Sequence, residues 1–166
     1  MYKVGDYYNE NGKEGVVFDV WDNGLHGKIV ALDQSRLTWC VPEQGHKKIV
    51  VGAANKSDGK ANTDKVVARG DAALYPAFTW CRDKGEEWYL PAIEELELLL
   101  RNDSVRDVVN CTLAQKCGAK LYDSSGLYWS STEDDGLCAW FVSMNIGYTY
   151  TDLKYYDYYV RAVAEF

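Results

Sequence analysis

Six of the twelve residues from Tyr148 to Tyr159 are tyrosine. A tyrosine side chain brings a flat apolar ring, few rotatable bonds and a hydroxyl at its tip. Mixed with Asp, Thr, Ser and Asn, such rings make the composition of a binding surface, as in antibody paratopes. Side chains alternate across a strand, so Tyr155, Tyr156 and Tyr158 cannot all point into one core, and some of them are expected in solvent. Exposed aromatic patches mark interaction sites. The candidate contact residues of the tail are Tyr148, Tyr150, Asp152, Tyr155, Tyr156, Asp157 and Tyr158. The rings would supply stacking and apolar burial, and Asp152 and Asp157 polar selectivity.

Residue types suited to catalysis or metal binding are sparse. The two histidines, His26 and His46, lie in polar, turn-like segments away from any Cys/His cluster and read as surface residues. The five cysteines (Cys40, Cys81, Cys111, Cys117 and Cys138) are odd in number and contain no C-x-x-C pair, which fits neither a zinc site nor a redox motif. Cys40 and Cys81 each follow a Trp and read as buried thiols. Thr132–Gly136 holds three carboxylates in a turn. Oxygen ligands of that kind can hold calcium, but the EF-hand spacing is missing and a solvated turn is the preferred reading. The acidic run "EELE" reads as a solvated helix face. No phosphate-binding, dinucleotide-binding or hydrolase motif is present. No cofactor and no metal is expected.

The elements that must position the tyrosines follow from hydrophobic periodicity. "EGVVFDV" and "GKIVAL" flank the turn-rich "WDNGLHG" and predict a hairpin. "LTWCV" predicts a short strand stopped by Pro42, and "KIVVGA" (Lys48–Ala53) a brief one. Broken helical pieces are expected between Asn62 and Gly85. "LPAIEELELLLRND" is the clearest helix, with Pro91 in its first turn. "DSVRDVVNCTLAQKCG" is a second, capped by Asp103 or Ser104 and ended by Gly118. Strands return at "LYWSSTE", "CAWFVSM" and "YYVRAVAEF", with "NIG" (Asn145–Gly147) as a turn. In the last, Val160, Ala162 and Ala164 face one way and Tyr159, Arg161, Val163 and Glu165 the other. Strands, then helices, then strands predict an α+β fold with a largely antiparallel sheet, in which the last strand pairs with the first and brings the termini together.

The chain has 166 residues, suited to one domain over 1–166. Its net charge of −7 lacks the basic footprint that nucleic acid requires. The opening "MYKVGDYY" has no basic or apolar leader region, so neither a signal peptide nor membrane insertion is predicted.

The ordered series "WYLPAIEELELLL", "YWSSTE", "AWFVSM" and "YVRAVAEF" resembles bacterial domains of the Lcl C-terminal and "major paralogous" type, which have a C-type-lectin-like fold. The opening "KVGDYYNENGKEGVVFDV" and "HGKIVAL" resemble such proteins from gut bacteria. This resemblance implies a C-type-lectin-like arrangement of antiparallel strands with two main helices. The tail further resembles the variable region of proteins diversified by retroelements. There, copied adenines are randomised, so an AAC codon becomes any NNC codon, which cannot specify Lys, Glu, Gln, Met or Trp. Take as a fixed frame "YWSSTE", Gly136, "AW", Val142, Met144, Gly147, Thr149, Lys154 and "YVRAV". The remaining positions between 134 and 158 are Asp134, Asp135, Leu137, Cys138, Phe141, Ser143, Asn145, Ile146, Thr151, Leu153 and the tail candidates named above, and every one is NNC-encodable. The resemblance thereby adds Asp134, Asp135, Leu137, Phe141, Ser143 and Asn145 to the candidate contact residues, with Asp134 and Asp135 sharing in polar selectivity. Within the frame, Trp129, Trp140, Val142, Val160, Ala162 and Val163 are expected in the core, with Arg161 pairing with a buried carboxylate or backbone carbonyls.

The resemblance thus implies a non-enzymatic binding protein on a cell surface or phage particle, with a protein or cell-surface glycan as partner. Two alternatives stand beside it. One is an undiversified adhesin or carbohydrate-binding module of the same fold. The other is an enzyme like those that generate formylglycine, which would need a copper-binding cysteine pair that includes Cys138.

Overall fold

Two β-branched runs open the molecule and pair as expected. In the computed structural model, which describes residues 1–121, 126–145 and 148–166, β1 (Tyr7–Glu10) and β2 (Lys13–Trp21) form a hairpin. A 3₁₀ turn at Asp22–Gly24 then leads into β3 (His26–Val30). β4 (Ser35–Thr38) ends before the Trp39 and Cys40 that were expected within it, and both of those side chains are buried just beyond it. Four helices follow the short α1 (Pro42–Gly45) in order with one small strand: α2 (Gly59–Val67), α3 (Pro76–Arg82), β5 (Trp88–Tyr89), α4 (Ile93–Arg101) and α5 (Asp103–Gln115), counting α1 as the first of five helices. The tail supplies β6 (Leu127–Glu133), β7 (Cys138–Ser143), β8 (Tyr148–Leu153), β9 (Asp157–Val160) and β10 (Val163–Glu165).

The strands form two five-stranded sheets, ordered β1-β2-β3-β10-β5 and β4-β9-β6-β7-β8. All pairings are antiparallel except β6 with β9. The first and last strands share a sheet but do not pair as expected, because β2 and β3 lie between them. The termini meet there: Phe166 packs its ring on Tyr8 at 4.6 Å and on Tyr2 at 5.2 Å. This is the expected α+β architecture.

Several local expectations are corrected by tertiary contacts. "YYVRAVAEF" is not one strand but two, β9 in one sheet and β10 in the other. Its alternation therefore does not separate core from solvent, and Val160 through Ala164 are all buried. "KIVVGA" forms no strand. Its Val51 and Gly52 amides donate instead to the Glu133 carboxylate, each at 2.9 Å. Pro91 precedes α4 rather than opening it. Asn102, not Asp103 or Ser104, caps α5 by accepting from Val105 N at 3.2 Å. The acidic run on α4 is only partly solvated, because Glu95 is buried. Its carboxylate accepts from Ala92 N at 2.7 Å, Gly59 N at 3.0 Å and the Tyr89 hydroxyl at 3.0 Å, and pairs with Lys28 at 2.7 Å. Ile146 and Gly147, placed in a turn by sequence, the first as a variable position and the second in the frame, lie outside the described residues.

The core has two parts on opposite sides of the second sheet. One gathers Trp39, Phe78, Trp129, Ala139, Phe141 and Val160. The other packs α4 and α5, through Leu96, Leu99, Leu100, Val109 and Leu113, against Tyr128, Val142 and Val163.

Candidate binding site

The register of β7 and β8 decides which side chains share a surface. Phe141 stands opposite Tyr150, Ser143 opposite Tyr148 and Ala139 opposite Asp152. Side chains directly opposite one another lie on the same face. One face of this hairpin therefore carries Phe141, Tyr148, Tyr150 and Asp152. The other carries Trp140, Val142, Thr149 and Thr151, and turns toward α4. There Lys56 Nζ lies 5.1 Å from the Trp140 ring centre, and the Thr149 hydroxyl donates to Glu97.

On the first face the rings connect into a continuous layer. Tyr148 and Tyr150 have centroids 5.7 Å apart, Tyr150 lies 6.4 Å from Phe141, and Phe141 lies 5.2 Å from Tyr158. Tyr158 continues to Tyr156 at 6.4 Å, Tyr156 to Tyr155 at 5.2 Å, and Tyr155 to His46 at 4.5 Å. Trp129 supports the layer from inside, 4.6 Å from Tyr158 and 6.1 Å from Phe141. The Tyr158 hydroxyl donates to the Asp152 carboxylate. Burial, and then that bond, push the Tyr158 phenol well above its ordinary range.

The sequence candidates divide by depth. Tyr148, Tyr150 and Tyr156 are 58%, 46% and 43% exposed and form the accessible surface of the layer. Tyr155, Tyr158 and Asp152 are half-buried. Phe141 and Ser143 are buried, Phe141 among the rings of Trp129, Tyr150 and Tyr158. Asn145 is exposed at the end of β7. Asp134, Asp135 and half-buried Leu137 sit apart at the β6–β7 turn. The Asp135 carboxylate accepts from Leu137 N at 2.7 Å and Cys138 N at 2.8 Å, and these bonds hold it below the usual carboxylate range. Asp157 alternates away from Tyr158 along β9 and pairs with Arg36 at 3.6 Å.

Frame residues anchor the layer. Lys154, between β8 and β9, is buried and bonds the Glu133 carboxylate at 2.7 Å, with its ammonium 4.7 Å from the Trp39 ring centre. Glu133 also holds the Val51–Gly52 backbone, so one ion pair ties the tail to the segment that follows α1. Arg161 is buried and donates to the carbonyls of Ala31 at 3.0 Å and Leu32 at 3.3 Å and to Gln34 Oε1 at 2.9 Å. Backbone carbonyls are thus its main partners, and burial lowers its pKa to about 10. Gly45 lets Tyr155 lie against α1: a Cβ there would meet Tyr155 Cδ1 at 2.8 Å.

His46 and Gly45 were missed as part of this surface. They are about a hundred residues distant in sequence from the tyrosines, and nothing local marks them. Among the described residues, no group of three or more His, Cys, Asp or Glu is placed to hold a metal ion. All five cysteines are free, and burial followed by Asp135 and Asp134 raises the Cys138 pKa. Among the described residues, no helix is long and apolar enough to cross a membrane.

A family model described as the Lcl C-terminal domain matches residues 28–164. The fold is also similar to the crystal structure of a fimbrial protein from Bacteroides ovatus ATCC 8483, with a TM-score of 0.72 at 18% sequence identity. That match covers 99% of this chain but 49% of the fimbrial protein, so the chain spans about half the length of its structural relative. No curated protein matches the chain.

Proposed function

The chain belongs to the Lcl C-terminal domain family, and from that premise we propose that it is a non-enzymatic ligand-binding module whose contact surface is the tyrosine layer of β8 and β9. The observation that carries this reading is the layer's construction. Three exposed phenol rings are joined through Phe141, Tyr158 and Tyr155 into one layer, and Trp129 packs beneath Phe141 and Tyr158. Rings held this way lose little freedom when a ligand arrives, which is the economy of a preorganised site. The partner would be a protein or a glycan at a cell surface, met by a chain that is itself displayed on a cell or a phage particle. Kinship in fold to a fimbrial protein supports display of this kind.

An enzymatic role like formylglycine generation gains no support from the site. Cys138 forms no disulfide, and among the described residues no group of three or more His, Cys, Asp or Glu that could hold a metal includes it.

Retroelement diversification is the finer form of the proposal. It is supported by the outward positions, since Tyr148, Tyr150 and Asp152 lie on the face opposite frame residues Trp140, Val142 and Thr149, which share the α4 side with variable Thr151. A fixed-sequence adhesin is the second reading, favoured by the burial of Phe141 and Ser143 at positions counted as variable. Sequencing the gene's surroundings separates them: an imperfect repeat differing at adenines beside a reverse transcriptase gene marks diversification.

The binding surface is tested with the triple variant Tyr148→Ala/Tyr150→Ala/Tyr156→Ala on arrays of surface glycans and surface proteins. Two or three hot-spot rings together account for a loss of about a hundredfold or more. The melting temperature should shift by only a few degrees, roughly the effect of surface substitutions. Unchanged binding by the triple variant would overturn the proposal.

A further inference from the structure

The two sheets have four edges, and they are unequal. β5 has two residues, and β1 and β4 have four each, with Arg36 on β4 reaching inward to the Asp157 carbonyl of β9 at 2.8 Å. β8 has six residues and ends its sheet. An exposed edge is normally blunted by shortness, by Lys or Pro, or by a bulge. β8 reads Tyr-Thr-Tyr-Thr-Asp-Leu, without Lys, Arg or Pro. Its pairing with β7 runs without a break from Cys138–Leu153 to Ser143–Tyr148, whereas the β2–β3 and β6–β7 pairings are each interrupted.

In an antiparallel strand, alternate residues turn their N–H and C=O groups to the open side. Among the described residues, the backbone of Tyr148–Asp152 has no partner beyond β7. The longest edge of the molecule is thus left open beside its most exposed rings.

We infer that β8 accepts an extended polypeptide segment of a partner protein as an additional strand, with every second side chain of that segment lying on Tyr148 and Tyr150. The inference rests on the tyrosine layer being the contact surface and names the partner class for it. A strand repeats its side-chain direction every second residue, and the two rings on β8 have that same period, so register on the backbone brings register on the rings. The carboxylate of Asp152 is on the same face as the rings. It favours a basic residue of the incoming strand and disfavours an acidic one. A glycan would engage the rings and leave the row of backbone groups unused.

The test uses the full chain and a phage-displayed library of random linear peptides, with a surface-glycan array run in parallel. A selected peptide is synthesised, and its binding is measured to the wild type and to the variant Tyr148→Ala/Tyr150→Ala, whose fold is checked by circular dichroism. Strand addition slows exchange of the outward β8 amides by about tenfold or more when the peptide is bound. N-methylation of the peptide backbone at one alternate set of positions should weaken binding by about tenfold, while the other set is tolerated. The inference fails if the peptide binds through the rings while β8 exchange is unchanged, or if both sets of N-methylation are tolerated. A glycan that binds through the rings when no peptide does also overturns strand addition, but it leaves the tyrosine surface standing. If neither probe binds in a ring-dependent way, both readings fall.

Discussion

On the α4 side of the β7–β8 hairpin, Val142 is fully buried, Trp140 is half-buried and Thr149 is bonded to Glu97. On the opposite side, Tyr148 and Tyr150 project into solvent from the same strands. The first surface is held by partners on another element, so its side chains are committed to the fold. The second is held chiefly by neighbours of its own kind and by Trp129 beneath. A surface fixed from below and open above can change its outer side chains with little consequence for stability, and that separates a binding face from a packing face.

The largest break in this contrast comes from the ion pair that fixes the layer. Glu133→Ala leaves the Lys154 ammonium buried without its partner and the Val51 and Gly52 amides without an acceptor. Denaturant unfolding should show a loss of about 3–5 kcal/mol. A smaller effect compares the faces directly. Val142→Ala removes packed methyl groups and should cost about 2 kcal/mol, whereas Tyr150→Ala should cost at most about 1 kcal/mol. Equal losses would show that the outer rings are structural. The depth of the middle row is read from Tyr158→Phe, which deletes the bond to Asp152 while keeping the ring. About 1 kcal/mol should be lost in chemical denaturation, with Trp129 fluorescence little changed.

The smallest effect concerns acid at the β6–β7 turn. The Asp135 pKa is lowered from its ordinary 3.8 by the Leu137 and Cys138 amides. Its contribution to stability is therefore present above the unfolded pKa and is lost as pH falls through the folded one. Asp135→Asn should flatten the decline of melting temperature below about pH 4. An unaltered acid profile would show that the turn does not depend on that charge.

Much of this organisation was legible beforehand. The hairpin of β2 and β3, the two helices α4 and α5 and the final group of strands follow from period and punctuation, which are local properties. The burial of Trp129, Val160 and Val163 was likewise anticipated, and backbone carbonyls were one of the alternatives for Arg161, whereas Trp140, expected in the core, is only half-buried. The split of the last strand was not legible, because nothing between Tyr159 and Ala164 marks a change of sheet. Nor was the inward turn of Glu95, whose partner Lys28 lies far away in sequence.

Sequence alone determined that the tail is rich in rings and that consecutive rings must diverge, since alternation along a strand is a property of the backbone. Only the tertiary structure decided that Tyr148, Tyr150 and Tyr156 lie outermost while Tyr158 and Phe141 lie beneath. Whether a face is covered depends on elements such as Trp129, Gly45 and His46, brought against the tail by the folded core. Burial is a property of that whole assembly, and no stretch of the tail carries it by itself.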